Sequence, residues 1–280
     1  MKSVSVKVDV NGIDYDGFSF FFLGDIHEGN ANHAEEEFKN AIDIIANTPN
    51  SYVVLMGDHI DAINHRDPRF DPIEIANKYG LRDLKNLPVK QTEHVANNLM
   101  PIKDKIIAMI YGNHEESYVK HNSFDPIRYL NKTLGGDIPI LGYTGFINFS
   151  VYDVEKSLYR IVFYVNHGYG GGGFREGYPL NKIHDISRWK KADVFVMGHI
   201  HQMHVDRKVV AAVDKNGKFV KREQYYGTNG CFLYKEKDDT RGYFEGKPGP
   251  ASDIGMLKLN TNRATKKNNL KMSWEKIFLG

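Results

Sequence analysis

The chain has 280 residues, 41% of them hydrophobic, and a formal net charge of +2. That is enough to bury a sizeable core as one large or two small domains, and too balanced in charge to point by itself to nucleic acid or membrane. The single cysteine, Cys231, excludes an internal disulfide, and Met1 to Val8 alternates polar and apolar residues where a signal peptide needs a continuous apolar core. No run is long enough to span a bilayer, so cytoplasmic residence without membrane partners is the expectation.

In chain order, Val4, Val6, Val8 and Val10 share one face of a strand. The turn pairs Asn11-Gly12 and Asp16-Gly17 precede an apolar strand, Phe18 to Leu23. Helical spacing of Phe38, Ala41, Ile42 and Ile45 predicts a helix within 33–47, with Glu35, Glu36 and Glu37 crowding its first turn. Pro49-Asn50 ends it and a buried strand, Tyr52 to Met56, follows. Strand, helix and strand in this order predict a sheet that is at least partly parallel. The polar stretch 61–105, broken by Pro68, Pro72 and Pro88, reads as two helices near 71–79 and 90–100, with 62–104 a helical cap or flank beside the site. Helical spacing runs from Glu115 toward His121, and Asp125-Pro126 opens another helix that Gly135-Gly136 stops. Residues 144–165 read as a hairpin of Phe146 to Tyr152 and Tyr159 to Val165. A mobile glycine loop, Tyr169 to Phe174, precedes a helix from Leu180 to Lys190 and a strand at Val194. From residue 203 the pattern is β: 203–212, a turn at Asp214-Lys215-Asn216-Gly217, 218–226, 229–234 and 254–260. With no internal repeat and no linker, the chain reads as one α/β domain over residues 1–280. Its mostly β C-terminal part, 203–280, points to two packed mixed sheets flanked by helices.

Five apolar runs end alike. They deliver Asp25 and His27, Asp58 after Gly57, Asn113 after Gly112, His167 after Asn166, and His199 and His201 after Gly198. In open α/β sheets the ligand site lies beyond the carboxyl ends of the strands, so these side chains can converge. Carboxylates with imidazoles are a set for divalent transition metals, with too few carboxylates for a calcium cage and no thiolate for a structural zinc site. Seven ligands exceed the needs of one ion. Two divalent ions sharing Asp58, roughly 3.5–4 Å apart, account for them, and such a pair holds a phosphoryl group and lowers the pKa of a water. His114 follows a ligand directly and is placed to protonate a leaving oxygen.

The ordered set Asp25-Ile26-His27, Gly57-Asp58-His59-Ile60-Asp61, Gly112-Asn113-His114-Glu115, Asn166-His167 and Gly198-His199-Ile200-His201 resembles the calcineurin-like metallophosphoesterase superfamily over residues 18 to about 205. The resemblance implies an αββα sandwich. It implies a first ion on Asp25, His27, Asp58 and His201, and a second on Asp58, Asn113, His167 and His199. It implies catalytic assistance by His114, and manganese, iron or zinc as the metal. The family's protein phosphatases carry an arginine after the second Asp of Gly-Asp-x-x-Asp and another before Gly-Asn-His-Glu, where each grips a phosphate dianion by paired hydrogen bonds. Here those positions are Ala62 and Tyr111. The spacing Asp25-Ile26-His27-Glu28-Gly29 is similar to the SbcD-like exonuclease branch, although Glu115 stands where Asp is usual there. These departures favour a phosphodiesterase on a nucleotide or nucleic acid. A phosphomonoesterase on a small molecule or phosphoprotein is the rival, and a non-catalytic binding scaffold the second.

The remaining candidates have bland readings beside functional ones. Asp61 is placed to orient a ligand and His59 to orient a ligand or meet substrate, while Glu115 suits the start of a helix wherever the site lies. The basic residues of 258–280 could track phosphates, but more simply they protect a strand edge. Arg66, Arg69 and Arg175 flank the motifs, and Tyr169, Phe174 and Tyr178 could stack a base or simply pack. Cys231 reads as a small core residue. A homodimer through the C-terminal strands is compatible with the pattern.

Overall fold

A computed structural model describes residues 1–12, 15–63, 70–171, 177–213, 216–235 and 250–280. In chain order the elements are β1 (Lys2–Asp9), β2 (Ser19–Leu23), α1 (Glu35–Asn47), β3 (Ser51–Leu55), α2 (Leu87–Leu99), β4 (Ile106–Met109), α3 (Asn113–His121), α4 (Pro126–Thr133), β5 (Thr144–Asp153), β6 (Lys156–Asn166), α5 (Tyr178–Ser187), β7 (Val194–Met197), β8 (His204–Val213), β9 (Phe219–Thr228), β10 (Gly255–Thr261) and β11 (Met272–Phe278). Two mixed sheets result, ordered β1-β5-β6-β7-β9-β8 and β11-β10-β2-β3-β4. Strands β2, β3 and β4 are parallel, as are β6, β7 and β9.

The alternation of β2 explains the layering. Successive strand residues face opposite sides. Phe20 and Phe22 enter the core between the sheets with Val54, Phe149, Phe163, Leu257 and Leu259. Phe21 and Leu23 face the other way, into a core with Phe38, Ile42, Ile45, Val95 and Leu99 of α1 and α2. A third cluster, Tyr164, Phe195, Met197 and Tyr226 with Ile183 of α5, covers the outer face of the six-stranded sheet. The order is therefore helix, sheet, sheet, helix. Both sheets bury strands on two faces, which is why β2, β3 and β7 read as continuous apolar runs.

Two expectations need correction. The segment near 71–79 is not an α-helix: one 3₁₀ turn, Pro72–Glu74, starts on Asp71, whose side chain accepts the Ile73 N–H. Its backbone groups bond outward, the Glu74 carbonyl accepting from Ala31 N–H and the Ala76 N–H donating to Gly29 carbonyl, which leaves no helical ladder. Residues 229–234 are not a regular strand either. Cys231, Phe232 and Tyr234 donate to Asp253, Asp25 and Asn32 respectively, tying three separate loops together. Strand β11, antiparallel to β10 at the edge of its sheet, carries Lys276, and Lys271 directly precedes it, in keeping with basic residues that protect a strand edge. Arg66, Arg69, Phe174, Arg175 and part of the turn at 214–217 lie outside the described residues. Among the described residues no helix is long and apolar enough to cross a membrane.

Candidate active site

The C-terminal ends of β2, β3, β4, β6 and β7 meet, and the loops leaving β2, β3 and β7 adopt backbone that few side chains tolerate. Asp25 (φ 50°), His27 (50°), Asp58 (48°), His199 (69°) and His201 (60°) all lie in the left-handed region. Such backbone costs about 1–2 kcal/mol at an ordinary L-residue, and Asp, Asn and His carry it more readily than most. Strain concentrated on one set of polar side chains points to a site. Close approach adds a second constraint. A Cβ on Gly112 would lie 2.0 Å from Asp58 Oδ1, and one on Gly57, at φ 88°, 2.6 Å from the Gly112 nitrogen. Only glycine lets the β3 and β4 loops touch here.

The donor atoms converge around Asp58. Asp25, His27 and His201 each offer an atom within 4.8 Å of the others, and so do Asp58, His167 and His199. His27, Asp58 and His114 form a third such group. His27 Nε2 lies 3.3 Å from His201 Nε2 and 3.9 Å from Asp58 Oδ2, and His201 Nε2 lies 3.4 Å from Asp25 Oδ1. His167 Nε2 is 3.2 Å from Asp58 Oδ2 and 3.0 Å from Asn113 Oδ1. Its Nδ1 donates to the Met56 carbonyl at 2.8 Å, which fixes the ring and aims Nε2 inward. Asp25, Asp58 and His167 are at most 1% exposed.

The charges follow the contacts. Burial opposes ionisation of Asp58, but the imidazoles of His167 and His114 outweigh it and hold the carboxyl well below its usual range. Burial likewise works against a charged His167, and the Asp58 carboxylate reverses this, raising the imidazole to about 9. His199 is driven down to about 4, chiefly by burial and then by the charge of His167.

Around this cluster lies a supporting shell. Asp61 Oδ1 lies 3.5 Å from His27 Nδ1 and 3.6 Å from His114 Nδ1, and the Asp61 carbonyl accepts from His114 Nδ1 at 2.5 Å. The backbone N–H of His114 donates to Asp58 Oδ1 at 2.9 Å. His59 is 1% exposed, with Nδ1 3.2 Å from Glu115 Oε1, so its ring backs the site and does not open to a substrate. Glu115 carries more than a helix-dipole role. Fully buried, it accepts the N–H groups of Asp58 (3.0 Å), His59 (2.6 Å) and Gly112 (2.9 Å). The one sequence signal for this was a carboxylate three residues into a helix that starts on Gly112. Glu28, which displaces the expected glycine, is also buried and faces away from the cluster, toward the Tyr79 hydroxyl at 2.7 Å and Lys78 Nζ at 2.8 Å. Of the two positions that lack arginine, Ala62 is buried with its N–H on Gln91, and the Tyr111 hydroxyl donates to Asp125 at 2.8 Å.

The sequence model of the family described as calcineurin-like phosphoesterase matches residues 18–203, the span that carries all of these ligand candidates. The chain belongs to that family. Among solved structures, this calcineurin-like phosphoesterase family member is similar to GAP50, the anchor in the inner membrane complex of Plasmodium, at 15% identity and a TM-score of 0.41 over 95% of this chain and 90% of that one. It is also similar to the NAD nucleotidase of Haemophilus influenzae, at 12% identity and a TM-score of 0.38 over 93% of this chain and 49% of that one. Vps29 of Chaetomium thermophilum is matched at 11% identity and a TM-score of 0.37, over 95% of this chain and all of that one. Likenesses this loose carry no weight on chemistry. No curated protein matches the sequence.

Proposed function

We propose that the chain is a two-metal phosphoesterase that cleaves phosphodiesters of nucleotides or nucleic acid in the cytoplasm. The observation that carries this reading is the pair of donor groups, Asp25-His27-His201 and Asp58-His167-His199, meeting beside Asp58. Imidazole Nε2 atoms of His27 and His201 stand 3.3 Å apart with carboxylates alongside, an arrangement suited to a cation. Asp25, His27, Asp58 and His201 would hold one divalent ion, and Asp58, Asn113, His167 and His199 the other, with manganese, iron or zinc the suitable metals. Bound there, the ions would polarise the phosphoryl oxygens and lower the pKa of a water.

The chain's own residues supply the rest. Because the Asp61 carbonyl can only accept, His114 carries a proton on Nδ1. A second proton, on Nε2, is then the one it would give to the leaving oxygen. Asp61 holds that ring and the ring of His27 in place, and Glu115 holds the loops of Asp58 and Gly112 together. Ala62 and Tyr111 offer no guanidinium to grip a terminal dianion, which supports a diester, with its single negative charge, over a monoester.

The test is paired hydrolysis of bis(p-nitrophenyl) phosphate and p-nitrophenyl phosphate with added manganese, with Asp58→Asn as the blank. The diester is expected to be cleaved faster and the blank to be nearly inactive. Faster cleavage of the monoester would overturn the diester assignment alone. Near-normal turnover in Asp58→Asn, or no bound metal and no response to manganese, would overturn the two-metal reading.

A further inference from the structure

Lys182 is 8% exposed, although lysine is seldom buried without partners because its ammonium loses its hydration. Its Nζ donates to the carbonyls of Tyr169 and Gly171, both at 2.7 Å. It also lies 5.2 Å from the ring centroids of Tyr169 and Tyr178, within cation–π range of each. Tyr178 and Lys182 are four residues apart on α5 and so share a face. A buried cation is thus committed to holding two tyrosines and the carbonyls of Tyr169 and Gly171.

The tyrosines themselves are not packed away. Tyr169 is 52% and Tyr178 42% exposed. Tyr169 follows His167 by two residues, so their Cα atoms are at most about 7 Å apart. The turn between them is firm. The Gly168 carbonyl accepts from the Tyr143 hydroxyl at 2.6 Å, and Gly168 sits so tightly that a Cβ there would lie 2.9 Å from His199 Cβ. The backbone that carries the exposed Tyr169 therefore runs beside His167 and His199.

We propose that Tyr169 and Tyr178, clasped about Lys182, form a stacking subsite for a nucleobase of the substrate. The chemistry suits a base because every base presents a flat π-face, and stacking on aromatic side chains needs no sequence-specific hydrogen bonds. Preorganisation by Lys182 removes part of the ordering that a mobile loop would require on binding. The proposal deepens the phosphodiesterase reading and rests on it for the substrate class.

Two experiments separate the claims. The first compares kcat/KM for the p-nitrophenyl ester of thymidine 5′-phosphate with that for methyl p-nitrophenyl phosphate, which shares the leaving group and lacks the base. The wild-type protein should prefer the nucleoside ester. Tyr169→Ala with Tyr178→Ala should reduce that preference about tenfold or more, while Tyr169→Phe keeps it because the ring remains. No preference in the wild-type protein, or a preference untouched by the double variant, overturns the subsite. The second measures anisotropy of a labelled oligothymidylate against an abasic strand of equal charge, in EDTA and at fixed salt. Tighter binding of the base-bearing strand, lost in the double variant and kept by Tyr169→Phe, supports the subsite, and equal binding of both strands overturns it for nucleic acid. Should neither ester be hydrolysed, the phosphodiesterase reading fails and the binding experiment alone decides the subsite.

Discussion

Replacing Glu115 by glutamine changes one oxygen to an amide nitrogen in a side chain with no exposure. Oε2 accepts from the N–H groups of Asp58 and Gly112, at 3.0 and 2.9 Å, and Oε1 from the His59 N–H at 2.6 Å with His59 Nδ1 at 3.2 Å. Whichever way the amide turns, it points N–H donors at one of these sets of donors. A hydrogen bond to a charged group is worth about 1.5–3 kcal/mol, and a buried donor left unpaired loses a similar amount. Two such losses in one network are not additive, so a destabilisation of about 3–5 kcal/mol is expected against a total of about 5–15 kcal/mol. With an m-value of roughly 3 kcal/mol/M, the urea midpoint should fall by about 1 M or more. The sign with pH is fixed by the carboxyl. Burial raises its pKa, but the hydrogen bond to His59 and its charge more than offset this, and the net shift is downward. A depressed carboxylate contributes stability above its unfolded pKa of about 4.3 and loses it as pH falls through the folded value. The gap between wild type and Glu115→Gln should thus be full at pH 7 and shrink only below the usual glutamate range. Urea unfolding followed by fluorescence at pH 7 and pH 4 measures both, with matching holoprotein activity as a second readout. A midpoint within about 0.2 M of wild type at pH 7 would refute the supporting role.

Gly112→Ala places a methyl group 2.0 Å from Asp58 Oδ1 and 2.2 Å from its nitrogen, so bound manganese by elemental analysis and Tm should both drop; retention of both would sink the close-approach argument. His114→Ala should slow an ester with an alkoxide leaving group by about 10²–10⁴, and slow a p-nitrophenyl ester far less because that group leaves without a proton. Equal losses on the two would remove His114 as the acid. In chelated protein the raised pKa of His167, about 9, contributes stability that is complete below its unfolded value of about 6.5 and lost as pH rises through 9. Tm of the chelated form should accordingly decline between pH 6.5 and 9.5, and a flat profile would exclude the Asp58–His167 ion pair.

What the sequence revealed and what it hid divide along one physical line. A helix such as α1 or α4 bonds to itself, so its period is local and readable, as is the Asp125 cap of α4. The segment after Asp71 and the run around Cys231 bond to distant loops, and no local period can report that. Strand β11 escaped for the opposite reason: it is an edge strand whose residues are mostly exposed, so it lacks an apolar run. The support given by Glu115 was hidden because its partners at Asp58 and His59 are more than fifty positions away.

The cluster at the strand ends was legible because two demands coincide there. Three of the five strand ends, those of β2, β3 and β7, turn sharply enough to hold residues at positive φ, and Asp25, His27, Asp58, His199 and His201 are such residues. Apart from glycine, Asp, Asn and His tolerate that backbone best. They are also the side chains that offer hard oxygen and borderline nitrogen donors to divalent ions. A residue chosen for either demand is drawn from nearly the same short list, while glycine stands where loops touch, as at Gly57, Gly112 and Gly168. Turn chemistry and ligand chemistry therefore write the same letters in the same places, and the motif stands out even though the geometry that unites it spans most of the chain.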